Sequence, residues 1–92
     1  MFKSIDDKIK GYGFNQTAAN EHCYEWRRFN HEFEYTQVVT FLRKQSGEHI
    51  FQSYDPELTD TKNIGNTCVG LTYWELKAFL KKFKQVKKMW DK

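Results

Sequence analysis

The chain has 92 residues, of which 17% are aromatic and 29% are charged, and its formal net charge is +3. A chain of this length supports one domain with one small core. No apolar run approaches the roughly 18 residues of a membrane-spanning helix, and the N-terminus lacks the apolar segment of a signal peptide. We therefore predict one cytoplasmic domain over residues 1–92, of the α+β class. Cys23 and Cys68 are predicted to be free thiols, and a disulfide is the alternative if the fold brings them together.

The first predicted helix begins after Ser4, which can act as its N-cap, and ends at Gly11. Asp6 and Asp7 fall in its first turn, where the helix dipole favours acidic side chains. Alternating patterns rich in β-branched and aromatic residues then predict three strands, over residues 20–29, 35–43 and 49–54. The middle strand has apolar residues on both faces, which is typical of a central strand.

Pro56 ends this predicted sheet, because proline cannot continue a central strand. The polar segment 57–70 follows, and a loop of this length without secondary structure is uncommon in a compact domain. Two interpretations stay open, namely a short edge strand over residues 67–69 or a binding loop.

The last twenty residues give the strongest local signal. Thr72 and Glu75 form a capping-box pattern, and Leu71 and Leu76 are spaced around it as a hydrophobic staple. Apolar residues then recur at helical spacing along one face, at Leu76, Phe79, Leu80, Phe83, Val86 and Trp90. Lysines recur along another face, at Lys77, Lys81, Lys84 and Lys88. These patterns predict a helix over residues 72–92.

The predicted order is helix, three antiparallel strands, helix, with both helices on one face of the sheet. This arrangement leaves the other face of the sheet partly open. Exposed rings on that face would suit a protein interface, and the candidates are Tyr24, Trp26, Tyr35 and Tyr54. The alternative is that these rings pack beneath the helices.

No catalytic, metal or cofactor site is predicted. The residue types of His22, Cys23, His31, His49 and Cys68 suit zinc, but their spacing does not match a zinc site. Cys68 precedes the start of the C-terminal helix and is the better candidate nucleophile, because a helix N-terminus lowers the pKa of a thiol. No larger motif surrounds it, and we predict a protein that is not an enzyme.

The positive charge is concentrated near the C-terminus. Residues 73–92 hold seven lysines and two acidic residues, a net charge of +5, whereas the rest of the chain carries −2. Such a helix can bind nucleic-acid phosphates or an acidic protein surface, or it can be a solvated helix face. The candidate binding residues are Trp74, Lys77, Lys81, Lys84 and Lys88, and three arginines near strand ends can add phosphate contacts, namely Arg27, Arg28 and Arg43.

The order of helix, three strands and helix resembles the double-stranded-RNA-binding domain. The second helix of that family opens with a lysine cluster that grips phosphate, whereas residues 70–75 here are Gly-Leu-Thr-Tyr-Trp-Glu. The resemblance is therefore one of topology, and it carries over none of the family's functional residues.

Residues 69–77 (VGLTYWELK) and 46–54 (SGEHIFQSY) resemble small uncharacterised orphan proteins of phages and prophages of Gram-positive bacteria. The resemblance implies an accessory protein that acts on a host factor, and it supplies no catalytic residues. We therefore predict a non-enzymatic module that binds a host or phage protein, with a nucleic-acid-binding protein as the alternative. The salt dependence of binding distinguishes these two functions, because the affinity of a protein for nucleic-acid phosphates falls steeply as the salt concentration rises.

Overall fold

The computed structural model of the protein describes residues 4–59 and 69–92. Its helices are α1 (Ile5–Gly11), α2 (Pro56–Thr59) and α3 (Tyr73–Trp90), and its strands are β1 (Asn15–Ala19), β2 (Cys23–Asn30), β3 (Tyr35–Leu42) and β4 (Ile50–Tyr54). The strands form one antiparallel sheet in the order β1-β2-β3-β4. The α+β class is confirmed, whereas the prediction of three strands is wrong because β1 adds a fourth strand at one edge.

The sequence of β1 explains why it was not predicted. Its residues, Asn-Gln-Thr-Ala-Ala, are mostly exposed and have little preference for strands. The turn into β2 is held by Asn20, whose Oδ1 accepts hydrogen bonds from the backbone N–H groups of His22 and Cys23 at 2.8 and 2.9 Å. The predicted strand 20–29 therefore begins three residues too early, inside this turn.

The core lies between one face of the sheet and the helices α1 and α3. The ring of Trp26 on β2 packs edge-to-face against Phe41 on β3 and Phe79 on α3, at centroid distances of 4.9 and 5.3 Å. Tyr24 lies on the same face and packs against this core. The interpretation of Tyr24 and Trp26 as anchors on an open face is thus wrong, since both rings pack beneath the helices. Alternation along a strand separates its two faces but does not show which face the helices cover.

The opposite face of the sheet is also partly closed. Val38 and Thr40 of the central strand point to this face and are 0% and 4% exposed. Tyr54 lies opposite Val38, and its pKa is raised by burial and by the negative charge of Glu25. Glu25 is itself paired with Arg27, at 2.6 Å between Oε1 and Nε. Of the four rings proposed as anchors on an open face, only Tyr54 therefore lies on this face of the sheet, because it pairs with Val38.

Both predicted N-caps are present. Thr72 Oγ1 accepts a hydrogen bond from the N–H of Glu75 at 3.3 Å, and Glu75 Oε1 accepts one from the N–H of Thr72 at 2.8 Å. Ser4 Oγ likewise accepts a hydrogen bond from the N–H of Asp7. These caps satisfy backbone donors that the first turn of a helix leaves without partners.

The two longer helices pack side by side, and Asp6 of α1 pairs with Lys82 of α3 at 2.9 Å. Residues 56–59 form α2, which overlaps the start of the segment 57–70, where the sequence predicts either a short edge strand or a binding loop. Most of the predicted edge strand 67–69 lies outside the described residues, although the N–H of Val69 donates a hydrogen bond to the Ser53 carbonyl at 3.2 Å. Over residues 4–59 and 69–92, no helix is long and apolar enough to cross a membrane.

Candidate functional site

The outer side of α3 carries the predicted binding residues. The helical repeat turns Phe79 and Val86 into the core and points the residues on the other side of the helix to solvent. All five predicted residues are exposed there, and together with Tyr73 they form a surface that we call the basic face, composed of Tyr73, Trp74, Lys77, Lys81, Lys84 and Lys88. The structure thus brings the predicted residues together on one surface.

Two aromatic rings stand at the N-terminal end of the basic face. Tyr73 and Trp74 are 67% and 63% exposed, and their ring centroids are 5.0 Å apart. The Lys77 ammonium lies 5.9 Å from the Tyr73 ring and 5.5 Å from the Trp74 ring, within the range of cation–π contacts. This end of the helix therefore presents apolar rings and positive charge together.

A small hollow beside Trp74 brings α1 into the same surface. It has a volume of about 100 Å³, and its walls include Lys8 and Tyr12 from α1 and Trp74, Lys77 and Lys81 from α3. Lys8 thus adds an ammonium group that sequence reasoning missed. No local pattern links Lys8 to Trp74, because only the packing of α1 on α3 brings them together.

Arg28, one of the three arginines near strand ends that can add phosphate contacts in the nucleic-acid hypothesis, points into the protein. Its guanidinium forms an ion pair with Glu75 in the first turn of α3. It also donates to Gln37 Oε1 at 2.7 Å and to the Tyr12 carbonyl at 3.1 Å, and it lies 4.1 Å from the centroid of the Phe14 ring. Through these contacts Arg28 stabilises the fold. It is therefore no longer a candidate binding residue.

A buried polar cluster, composed of Arg28, Gln37, Ser53 and Glu75, extends from this ion pair. Gln37 is 1% exposed, and its Nε2 donates to Ser53 Oγ at 2.9 Å and to the Gly70 carbonyl at 3.1 Å. Burial alone would raise the pKa of Glu75, but hydrogen bonds from Arg28 and from the Thr72 backbone outweigh it and lower the pKa. The polar cluster therefore ties the start of α3 to three strands of the sheet.

Further exposed rings lie at the same end of the molecule. Phe29 at the end of β2 is 49% exposed, and Phe33 in the turn between β2 and β3 is 70% exposed. A hollow of about 590 Å³ separates this turn from the start of α3, with Phe29 and Tyr35 on one side and Leu71 on the other. Phe29 lines this hollow, and the other three rings are carried by the two segments that border it, the turn after β2 and the start of α3. We call these exposed rings the aromatic end, composed of Phe29, Phe33, Tyr73 and Trp74.

The far end of α3 is held by a different set of contacts. Arg43 donates from Nη2 to the Trp90 carbonyl at 2.8 Å and so satisfies an acceptor in the last turn. The side chain of His49 is 1% exposed, and its Nε2 lies 2.8 Å from Asp91 Oδ1. Hydrogen bonds from Lys87 and from His49 lower the pKa of Asp91. Arg43 and His49 therefore secure the end of the helix.

The candidate metal ligands and nucleophile do not form a site in the described part of the chain. Within residues 4–59 and 69–92, no three His, Cys, Asp or Glu side chains are grouped so that they could hold a metal ion. Cys23 is a free thiol. Cys68, the candidate nucleophile, lies outside the described residues.

Comparison with known proteins gives no relative for this chain, since no protein-family model, no curated protein and no solved structure matches it.

Proposed function

We propose that this protein is a non-enzymatic binding module that binds another protein through the aromatic end. The observation that carries this proposal is that four large rings, each between 49% and 70% exposed, are carried by the two segments that border one hollow, the end of β2 with its turn and the start of α3. Single exposed apolar residues are ordinary on protein surfaces, whereas a group of large rings is typical of an interaction site. Tryptophan and tyrosine also dominate the binding energy of many interfaces.

The polar cluster supports this proposal because it connects the two chain segments that carry the rings. Glu75 directly follows Trp74 along the chain, and its ion-pair partner Arg28 directly precedes Phe29. Both parts of the aromatic end are therefore attached to the same ion pair. A surface that is already ordered loses less conformational entropy when a partner binds.

The charge of α3 and the resemblance of two segments bear on the partner. The net charge of +5 over residues 73–92 favours a partner with an acidic contact surface. The resemblance of residues 46–54 and 69–77 to phage and prophage orphan proteins supports an accessory protein that acts on a host or phage protein.

Site-specific cross-linking tests the proposed function. A photo-reactive residue in place of Tyr73 or Phe33 should cross-link to the same protein, whereas one in place of Gln16, exposed on β1, should not. The double substitution Tyr73→Ser/Trp74→Ser should abolish capture of that protein and leave the circular dichroism spectrum unchanged. Capture that survives both substitutions would contradict the proposal.

Nucleic-acid binding by the basic face is a second candidate function. The hollow beside Trp74 favours it, because a base can stack on the exposed indole while Lys8, Lys77 and Lys81 contact phosphates. The ladder from Lys77 to Lys88 extends along α3 for about 16 Å at the helical rise of 1.5 Å per residue. This length matches a few successive phosphates of a nucleic-acid strand.

Titration with duplex RNA, duplex DNA and single strands at low and physiological salt tests this second function. Binding should weaken as salt rises and weaken again in Lys81→Glu/Lys84→Glu. The single variant Lys81→Glu is compared with Lys44→Glu, which changes the net charge equally but lies in the connection before β4, away from the basic face. Absence of binding at low salt, or equal loss in Lys81→Glu and Lys44→Glu, would discard this function.

A further inference from the structure

A groove between α3 and the edge strand β4 is a second apolar feature of the surface of residues 4–59 and 69–92, outside the aromatic end. Leu76 and Leu80 of α3 line one side and are 40% and 43% exposed. Phe51 of β4 lies on the other side, together with Val69 and Leu71 from the approach to the helix. The hollow has a volume of about 550 Å³, and we call it the β4 groove.

The exposure of Leu76 and Leu80 departs from the prediction that they belong to the core stripe of α3. Phe79 and Val86 are fully buried beneath the centre of the helix, and Ala78 is buried on the flank that faces α1. Leu76 and Leu80 project from the other flank, which lies over β4. Within the part of the chain that the structure describes, the helices α1 and α3 therefore leave Leu76 and Leu80 partly exposed on this side of the sheet.

Positive charge borders the β4 groove. Lys77 and Lys84 lie three residues before and four residues after Leu80, so they are its neighbours on the helix surface. Tyr73 lies three residues before Leu76, which extends the apolar row into the aromatic end. Tyr73, Leu76 and Leu80 therefore form an exposed apolar row along one flank of α3, at the helical spacing i, i+3 and i+7.

We infer that the β4 groove binds an amphipathic helix of the partner whose flank carries acidic side chains. The inference rests on the proposed function and specifies which segment of the partner is bound. Apolar residues of the incoming helix pack between Leu80 and Phe51, which adds a helix beside α3 over the edge of the sheet. Its carboxylates face Lys77 and Lys84. A second copy of this chain fits poorly, because its own long helix would bring lysines against lysines.

Selection of peptides from a random library on the immobilised full-length protein tests this inference. The enriched peptides should have apolar residues at helical spacing and acidic residues beside them. A synthetic peptide of the enriched sequence should bind Leu76→Ser/Leu80→Ser at least about tenfold more weakly than the unchanged protein. Met89→Ser is the matched control, since Met89 is 51% exposed and lies on the opposite flank of α3.

Charge reversal provides a second measurement. Selection on Lys77→Glu/Lys84→Glu should enrich peptides with basic flanks in place of acidic ones. Absence of enriched peptides, peptides that bind Leu76→Ser/Leu80→Ser undiminished, or flanks that do not respond to the charge reversal would overturn the inference.

The experiment also separates this inference from the proposed function. If cross-links from position 73 persist in Leu76→Ser/Leu80→Ser, the proposed function stands and the β4 groove is excluded from the interface. A concentration-dependent dimer that Leu80→Ser abolishes would identify a second copy as the occupant and overturn the inference. If peptides bind only after residues 60–68 are replaced by a glycine–serine linker, the occupant of the β4 groove is a segment of this chain. That result would also overturn the inference.

Discussion

Arg28 on β2 and Glu75 in the first turn of α3 form an ion pair between residues 47 positions apart in sequence. Their side chains are 22% and 8% exposed, so the pair lies mostly out of water. Removing one partner of such a pair leaves a charge that water cannot fully solvate. Because the chain neighbours of the pair are Phe29 and Trp74, the same contact determines stability and the position of the aromatic end.

Glu75→Gln should lower the free energy of unfolding by about 1–3 kcal/mol, which is less than for a fully buried pair because Arg28 remains partly exposed. A glutamine can still complete the capping box, so the loss reports mainly the missing charge. Urea denaturation measures it. Glu32→Gln in the exposed turn before β3 is the control, with an expected change within about 0.5 kcal/mol. Equal losses in the two variants would show that the ion pair adds nothing.

The lowered pKa of Glu75 predicts a dependence of stability on acid. The stabilisation is fully present above the unfolded pKa of glutamate, about 4.3, and is lost as the pH falls through the lower pKa of the folded state. The free energy of unfolding of Glu75→Gln should therefore fall less steeply than that of the unchanged protein between about pH 5 and pH 2. Asp91, whose pKa is also lowered, leaves some acid dependence in both proteins. Parallel curves would contradict the role of Glu75.

Two neighbouring glycines should respond to alanine with opposite signs. Gly13 has a φ of +95°, and a Cβ at this position would lie 3.3 Å from Cδ of Arg28. Gly13→Ala should therefore lower the free energy of unfolding by about 1–2 kcal/mol. Gly11 is the last residue of α1 and has no atom within 4 Å of an added Cβ, so Gly11→Ala should raise it by up to about 1 kcal/mol. Thermal unfolding measures both, and two changes of the same sign would count against this assignment.

Rings of the core and rings of the aromatic end should differ in their effect on stability. Phe79 is fully buried, with its centroid 5.0 Å from that of Phe14, and Phe79→Ala should cost about 3–5 kcal/mol. Phe33→Ala and Tyr73→Ala should each change the free energy of unfolding by less than about 0.5 kcal/mol. Denaturant titration separates these cases. A large loss of stability on substitution of Phe33 or Tyr73 would mean that these rings stabilise the fold and are not surface groups for a partner.

Local signals predicted the parts of the fold that depend on residues close together in sequence. The caps at Ser4 and Thr72 follow from residues three positions apart, and the run of β-branched and aromatic residues identified β3. β1 was missed because its polar residues become a strand only when they pair with β2. The face on which Trp26 lies was equally out of reach, since it depends on where α1 and α3 pack.

The candidate site was predictable to the same extent. Helical spacing identified Trp74 and the four lysines of the basic face, because the positions on one face of a helix follow from its period. The contributions of Lys8, Phe29 and Phe33 depend on other elements that fold back beside α3. Arg28 could not be recognised as part of the interior, since its partner Glu75 reads in sequence only as half of a capping box.

The pairing of Asp6 with Lys82 also has a consequence for the order of folding. Hairpins join residues that are close along the chain, whereas the contact between α1 and α3 closes a loop that contains the entire sheet. On the ribosome, the strands are complete before α3 has been synthesised. Until α3 emerges, Phe79 does not cover Trp26 and Phe41. The nascent chain then exposes an apolar surface to which chaperones can bind and through which it can aggregate.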